Sequence, residues 1–380
     1  MKLVHTSDWH LGKNVNDFDL TEDQRFWLNS FCEMLDEENP DAVLITGDLY
    51  DRSIPPVQAV QLLNETFLKI VGQRKIPVLA ISGNHDSSVR LSFGTDFFQK
   101  NGLYLKTQLT DEMEHITLSD KYGDVNFYFL PYIESVLLKQ RLSLPANSTL
   151  NDAFQRYMQE NLKSIDPAAR NVLLAHGFFS KTSVKADSEI FSDSETNIGE
   201  CDLMDANVLA ESFDYTALGH LHAPQRVAEN VRYSGSMLKY SDSEVTQKKG
   251  VLIVELKEKG NLSVQLRPLP VRRDMRKVSG SMEELLQYTP SQDYAFITIC
   301  EPQSVLNAAE KLRSVFPNLM GIQYAKQEKK TFGVTRDFRQ RMPEELFADF
   351  YKYVMSESMN ERQQEKIKEI IRRVGEEEPK

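Results

Sequence analysis

The sequence predicts a layered α/β protein with a small second α/β domain and a helical C-terminal tail. Apolar, β-branched runs recur through the first 256 residues, helical patterns alternate with the early runs, and the texture of the chain changes near residue 270. The expected boundaries are 1–270 for the main domain, 271–335 for the small domain and 336–380 for a linker and helices.

The strand-like runs are KLVHTS (2–7), AVLITG (42–47), PVLAIS (77–82), NFYFLP (126–131), NVLLAH (171–176), YTALGH (215–220) and GVLIVEL (250–256). Between them, residues 21–38 open with a capping-box-like pair, Thr21 and Gln24, and end at Asn39-Pro40. Residues 57–71 carry Val60, Leu63, Phe67 and Val71 at helical spacing, which periodicity assigns to one core face. After the basic knot RRDMRK (272–277) come a helical pattern near 282–288, the strand-like YAFITIC (294–300), a helix near 303–315 and the strand-like MGIQYA (320–325). Two amphipathic helices follow Pro343, one striped by Leu346, Phe350 and Val354, the other by Ile367, Ile370, Ile371 and Val374. They suit docking on a partner helix or folding back on the body.

Composition removes several function classes. No apolar stretch approaches the roughly 20 residues of a membrane helix, and MKLVHTSDWH has no apolar region behind Lys2, so the chain reads as cytoplasmic. Cys32, Cys201 and Cys300 form no CxxC pair, which argues against a disulfide framework or a thiolate zinc site. With 45 Lys plus Arg against 56 Asp plus Glu, the net charge of -11 argues against a broad basic face for nucleic acid. Residues 186–214 hold nine Asp or Glu and no Lys or Arg, with no ligand spacing, and read as a solvated acidic loop. The basic knots at 272–277 and 326–330 are exposed solubility charges or a place to steer DNA backbone.

The histidines carry the chemistry. His10, His85, His176, His220 and His222 follow apolar runs directly, His5 lies inside the first run, and only His115 falls in connecting sequence. Ligands in open α/β sheets gather at the carboxyl ends of strands. Asp8 and His10, and again His220 and His222, stand two apart, which on extended backbone turns them to the same side. Each segment alone has a bland reading: Asp48 in GDLYDR as a turn or helix-cap residue, GNHD as a structural turn, His176 as a satisfied core histidine. Together they supply two carboxylates, one amide and four imidazoles, the ligand count two ions need when one carboxylate bridges them. Without thiolates such a site suits Mn, Fe, Co or Zn. Paired ions are the apparatus for in-line displacement at phosphorus.

The order D-x-H, G-D, G-N-H-D, H, G-H-x-H resembles the calcineurin-like metallophosphoesterases over about residues 1–256. HTSDWHLG, GDLYDRSIPP, GNHDSSVRL, AHGFFS, DSET, ALGHLHAPQ and RYSGSMLKYS are similar to the bacterial nuclease subunits of that family. The resemblance implies a metallophosphoesterase β-sandwich flanked by helices, with a small α/β capping domain and C-terminal helices. It implies one ion held by Asp8, His10, Asp48 and His222 and another by Asp48, Asn84, His176 and His220. His85 is left to face the substrate phosphate and Asp86 to orient it. The implied activity is a dinuclear-metal DNA nuclease, exonuclease on double-stranded ends and endonuclease on hairpins and single strands, in DNA repair, recombination and replication. Manganese is the expected metal, with Mg, Fe, Co or Zn as alternatives. The implied partners are DNA, an SbcC-type ATPase with a coiled coil, bound through the C-terminal helices, and a second copy of the chain, met through the helices after SIPP and GNHD, within a two-plus-two heterotetramer. A phosphodiesterase or phosphatase for small substrates shares the same metals, and a structural adaptor with a dead site is the third reading. The added domain and tail disfavour the second, and the complete ligand set disfavours the third.

Overall fold

The computed structural model describes residues 1–181, 203–301, 304–325, 343–355 and 358–377. Two six-stranded sheets form its centre. In the first, Lys2–Thr6, Ala42–Thr46, Val78–Ile81 and Leu103–Lys106 run parallel, and Val251–Leu256 and Leu262–Arg267 extend the other edge antiparallel. In the second, Gly123–Leu130, Arg170–His176, Tyr215–Gly219 and Val231–Tyr233 run parallel, closed at the edges by the antiparallel strands His115–Asp120 and Gln225–Ala228.

Alternation along each strand assembles the layers. Leu3, Leu44 and Leu79 of the first sheet meet Phe127, Val172 and Leu174 of the second in a core between the sheets. Their strand neighbours Val4, Val43 and Val78 face the other way, onto Trp27, Phe31 and Leu62 of the helices Thr21–Glu38 and Val57–Phe67. Leu173 and Leu218 likewise pack outward with Phe154, Tyr157 and Met158 of the helix Leu150–Asn161. Strands covered on both faces are apolar throughout, which is why these runs lack a polar alternate. The result is the expected layered α/β sandwich, helix–sheet–sheet–helix. Because the central strands are parallel, the ends at Thr6, Thr46, Ile81, His176 and Gly219 bring their following loops to one edge.

Met275–Gly280, Tyr294–Ile299 and Leu319–Tyr324 form a separate three-stranded sheet whose core includes Val278, Ile297, Leu285, Leu312 and Phe316. This sheet belongs to the same compact unit as the sandwich, Met1–Glu301 with Val305–Gln323. Asn16 Nδ2 donates to the Met320 carbonyl at 3.0 Å, and the Tyr294 hydroxyl donates to Asp23 at 2.9 Å. The helices Pro343–Met355 and Glu361–Glu377 lie in a second unit and are tied together by Gln363 Nε2 on the Tyr351 hydroxyl at 3.0 Å. Among the described residues no helix is long and apolar enough to cross a membrane.

Several local expectations are corrected. Thr21 and Gln24 make no capping box; Leu20 occupies the cap, and the buried Gln24 reaches instead into the loop after the first strand. Val60 is exposed, although Leu63 and Val71 of the same segment are buried. Its outward neighbours Ile54 and Val57 are 65% and 68% exposed, so apolar spacing here marks an outer face as well as a core face. His115 is not in connecting sequence but starts a strand, and the end of RRDMRK runs into the strand Met275–Gly280, where Met275 is buried. The helix expected near 303–315 is a short one, Ala308–Leu312. The edge strands and the helix Leu150–Asn161 lacked a continuous apolar run and went unread. DSET and residues 326–330 lie outside the described residues, as do the side chains of Val354 and Val374.

Phe127 lies fully buried between the two sheets. Phe127→Ala is expected to cost about 3–5 kcal/mol, read as a lowered midpoint in chemical denaturation. An unchanged midpoint would show that the two sheets are not held by this layer.

Candidate active site

The loops at the common strand edge bring Asp8, His10, Asp48, Asn84, His85, His176, His220 and His222 together. A cavity of about 250 Å³ opens there, lined by Asp48, Asn84, His85, His176, His220 and His222 among others. Asp8 and His10 are fixed by backbone bonds between two loops, Asp8 N–H to the Gly47 carbonyl at 3.1 Å and His10 N–H to the Asp48 carbonyl at 2.9 Å. They do not converge by strand alternation as expected. Asp8, His10 and Asp48 have φ of 51°, 46° and 52°, and His220 has 107°, so tight left-handed turns aim the side chains. Such backbone is disfavoured for these residues and persists where surrounding bonds over-determine it.

Asp48 sits at the centre. Its Oδ2 lies 3.4 Å from His176 Nε2 and 3.7 Å from His10 Nε2. Its Oδ1 accepts the His85 N–H at 2.8 Å. Asn84 Oδ1 is 3.0 Å from both His176 Nε2 and His220 Nδ1. On the other side, His10 Nε2 and His222 Nε2 approach to 3.1 Å, and ligand atoms of Asp8, His10 and His222 lie within 4.8 Å of one another, as do those of Asp8, Asp48 and His176.

The electrostatics follow from this crowding. Burial opposes the charged form of His176, yet Asp48 and Asp8 overcome it and push its pKa up to about 9. Burial raises the Asp48 carboxyl too, but His176 and His10 outweigh it and hold that group below the usual carboxylate range. His220 is brought down to about 3 by burial and by the neighbouring His176. His10 is lowered by burial, and among the described residues its buried Nδ1 has no hydrogen-bond partner. His222 Nδ1 donates to Glu244 at 2.9 Å, which leaves its Nε2 as a lone pair pointed at a second imidazole nitrogen. These two nitrogens stand 3.1 Å apart beside the buried carboxylates of Asp8 and Asp48, and this nitrogen–oxygen set fits divalent cations.

Residues 1–224 match the family model described as calcineurin-like phosphoesterase. The chain belongs to that family. Residues 271–355 match a second model, described as the type 5 capsule protein repressor C-terminal domain and labelled SbcD_C. The SbcD component of nuclease SbcCD from Staphylococcus epidermidis is 30% identical over 376 residues, 98% of each chain, and its counterpart from Staphylococcus saprophyticus is 31% identical over 383 residues, again 98% of each. Within the calcineurin-like phosphoesterases the chain is therefore of the SbcD kind, and it is a metal-dependent phosphodiester hydrolase.

The resemblance implies that Asp86 orients His85, but the Asp86 carboxylate bonds backbone and not the His85 ring. That carboxylate accepts the backbone N–H groups of Leu49 at 3.1 Å, Tyr50 at 3.0 Å and Gly83 at 3.0 Å. Burial, followed by the charge of Asp48, pushes the Asp86 carboxyl up to about 7. The His85 ring is oriented by the Asp51 carbonyl, which accepts Nδ1–H at 2.8 Å. Asp86 thus pins the loop that carries Asp51. Sequence reasoning missed Asp51, which pairs with Lys13 at 2.7 Å and lies 3.6 Å from His10 Nδ1, although its place three residues after Asp48 was a signal. It also missed Ser7, whose hydroxyl bonds Asp8, and Glu244, which no local pattern marks.

Gly83 leaves room for Asp48: a Cβ there would lie 2.2 Å from Asp48 Oδ1 and 2.4 Å from its amide nitrogen. Gly83→Ala is expected to displace the carboxylate and weaken divalent-cation binding on the order of tenfold to a hundredfold with the circular dichroism spectrum kept. Unweakened binding in a calorimetric titration would contradict that geometry.

Proposed function

We propose that the chain is the nuclease subunit of an ATPase–nuclease assembly, a DNA exonuclease on double-stranded ends and an endonuclease on hairpins and single strands, working with two divalent ions, Mn²⁺ foremost. The observation that carries the reading is Asp48 Oδ2, poised between His176 and His10 with one group of donors on each side. In it, Asp8, His10, Asp48 and His222 hold one ion, and Asp48, Asn84, His176 and His220 the other. When bound, the ions supply an acidified water and neutralise charge on the phosphate oxygens.

The chain's own residues supply the rest. Asp8 accepts the His220 N–H through both oxygens, at 3.0 and 3.1 Å, and so joins the two halves of the ligand set. His176 Nδ1 donates to the Thr46 carbonyl at 2.8 Å, which fixes its tautomer and turns Nε2 toward Asn84 and Asp48. His85 lines the cavity and keeps Nδ1–H on the Asp51 carbonyl, so Nε2 is the ring nitrogen left for proton exchange. There it stabilises charge on the phosphate or protonates the departing oxygen.

Partners enter through other surfaces. Both relatives are named as parts of SbcCD, and in this reading the C-terminal helices dock on an SbcC-type ATPase, which brings DNA to an acidic chain. Support comes from Phe350 and Ile370, 60% and 44% exposed on the two helices. A second copy of the chain docks through the helices after SIPP and GNHD, along which Val57, Leu68, Val89, Phe93 and Phe97 are exposed.

His85→Leu is expected to keep both ions and DNA binding while cleavage falls about 10²- to 10⁴-fold. His176→Leu is expected to lose an ion. Elemental analysis beside cleavage of end-labelled duplex and hairpin DNA, in Mn²⁺, Mg²⁺ and EDTA, separates the two; a His85→Leu protein short of metal, or one that cleaves normally, removes the role given to His85. A chain ending near residue 335 is expected to bind metal normally and to lose the ATPase partner in a pull-down. Full-strength capture by the shortened chain would reject the helical docking site.

A further inference from the structure

Residues 234–249 wrap behind His222, and the RYSGSMLKYS stretch that opens this wall has no role in the reading above. Glu244 is fully buried and makes contacts in several directions. Its Oε1 accepts Nδ1–H of His222 at 2.9 Å, and its Oε2 accepts the Lys249 ammonium at 2.6 Å and the Tyr240 N–H at 3.1 Å. Lys249 turns back on the same histidine, donating to the His222 carbonyl at 2.7 Å and to Ser236 Oγ at 2.8 Å. The Ser236 N–H meets that carbonyl as well, at 3.1 Å. His222 is therefore gripped at its ring and at its backbone by one buried ion pair.

A buried pair kept only for stability has no need to close on a single histidine from both ends, and such pairs contribute little to stability against apolar replacements. We propose that Glu244 and Lys249 are positioning residues, a clamp that holds His222 in the tautomer protonated on Nδ1 with Nε2 directed at the Asp8–His10–His222 position, and thereby sets the cation affinity of that position. The proposal rests on the metal reading given above. A carboxylate behind a ligand imidazole fixes ring orientation and tautomer, and its loss typically weakens metal binding tenfold to a hundredfold. Lys249 is the second half of the device, because it binds the carboxylate at 2.6 Å and fixes the backbone from which the ring hangs.

The test is a calorimetric Mn²⁺ titration of the full chain carrying Glu244→Leu together with Lys249→Met, a pair of apolar replacements that leaves neither charge uncompensated. One cation position is expected to weaken tenfold to a hundredfold while the other holds, with thermal stability near that of the parent. Nitrogen-15 spectra of histidine-labelled protein are expected to show His222 protonated on Nδ1 in the parent and in mixed tautomers in the variant. Parent-like affinity at both positions overturns the proposal. So does a parent His222 protonated on Nε2 alone, a reading that stands even if the variant does not fold. His222→Gln serves as the control: if it too leaves both affinities unchanged, the metal reading fails, whereas a weakened control beside an unweakened clamp variant removes the clamp alone.

Discussion

The hydrogen bond from His176 Nδ1 to the Thr46 carbonyl crosses the seam between the two sheets, and the geometry of the site depends on how closely that seam is drawn. A Cβ on Gly219 would stand 1.8 Å from the Thr46 oxygen, so only a glycine lets the second sheet come this near. The Thr46 side chain faces the same seam, with Oγ1 3.0 Å from His5 Nε2, and His5 Nδ1 reaches the Tyr215 hydroxyl at 2.8 Å. Burial brings His5 down to about 3, so the bridge is a neutral one that carries no charge into the apolar core between the sheets. Thr46 is thus held from its side chain by His5 while its carbonyl holds His176.

From that seam the loops fan outward under strain. Asp8, His10, Asp48 and His220 all adopt left-handed backbone, and each is tied down by a neighbour from another loop: Asp8 by Gly47, His10 and Asp48 by one another, His220 by Asp8. Interlocking of this kind makes the loops one object, which is what a site needs when several side chains must meet within a few ångströms.

The layered fold was readable because strands buried on both faces must be apolar throughout, as AVLITG and NVLLAH are. Edge strands such as Leu262–Arg267, where Leu262, Val264 and Leu266 alternate with polar residues, have no continuous apolar run to mark them, and the sequence cannot distinguish a helix face that meets the core from one that faces outward, as Val60 shows. The residues gathered at the site were legible because histidines at the ends of several apolar runs have few structural uses in common. What the spacing misread was how they converge, since D-x-H reads as extended backbone while the chain turns left-handed at both Asp8 and His10. Glu244 stayed hidden for another reason. It lies 22 residues beyond His222, and an acid that shares a polar stretch with Asp242 has no period to betray it.

One turn of the helix Thr21–Glu38 faces two ways. Gln24 accepts the Gly12 N–H at 2.9 Å and donates to the His10 carbonyl at 2.8 Å, holding the loop that carries His10. Its neighbour Asp23 takes the Tyr294 hydroxyl at 2.9 Å and Arg273 at 3.3 Å, the ends of the small sheet and of the segment entering it. Adjacent residues on a helix are joined stiffly, so the small sheet and the His10 loop share a fulcrum. The His10 carbonyl and the small sheet are therefore linked through two adjacent side chains of one helix, so that neither can be repositioned without disturbing the turn that holds the other.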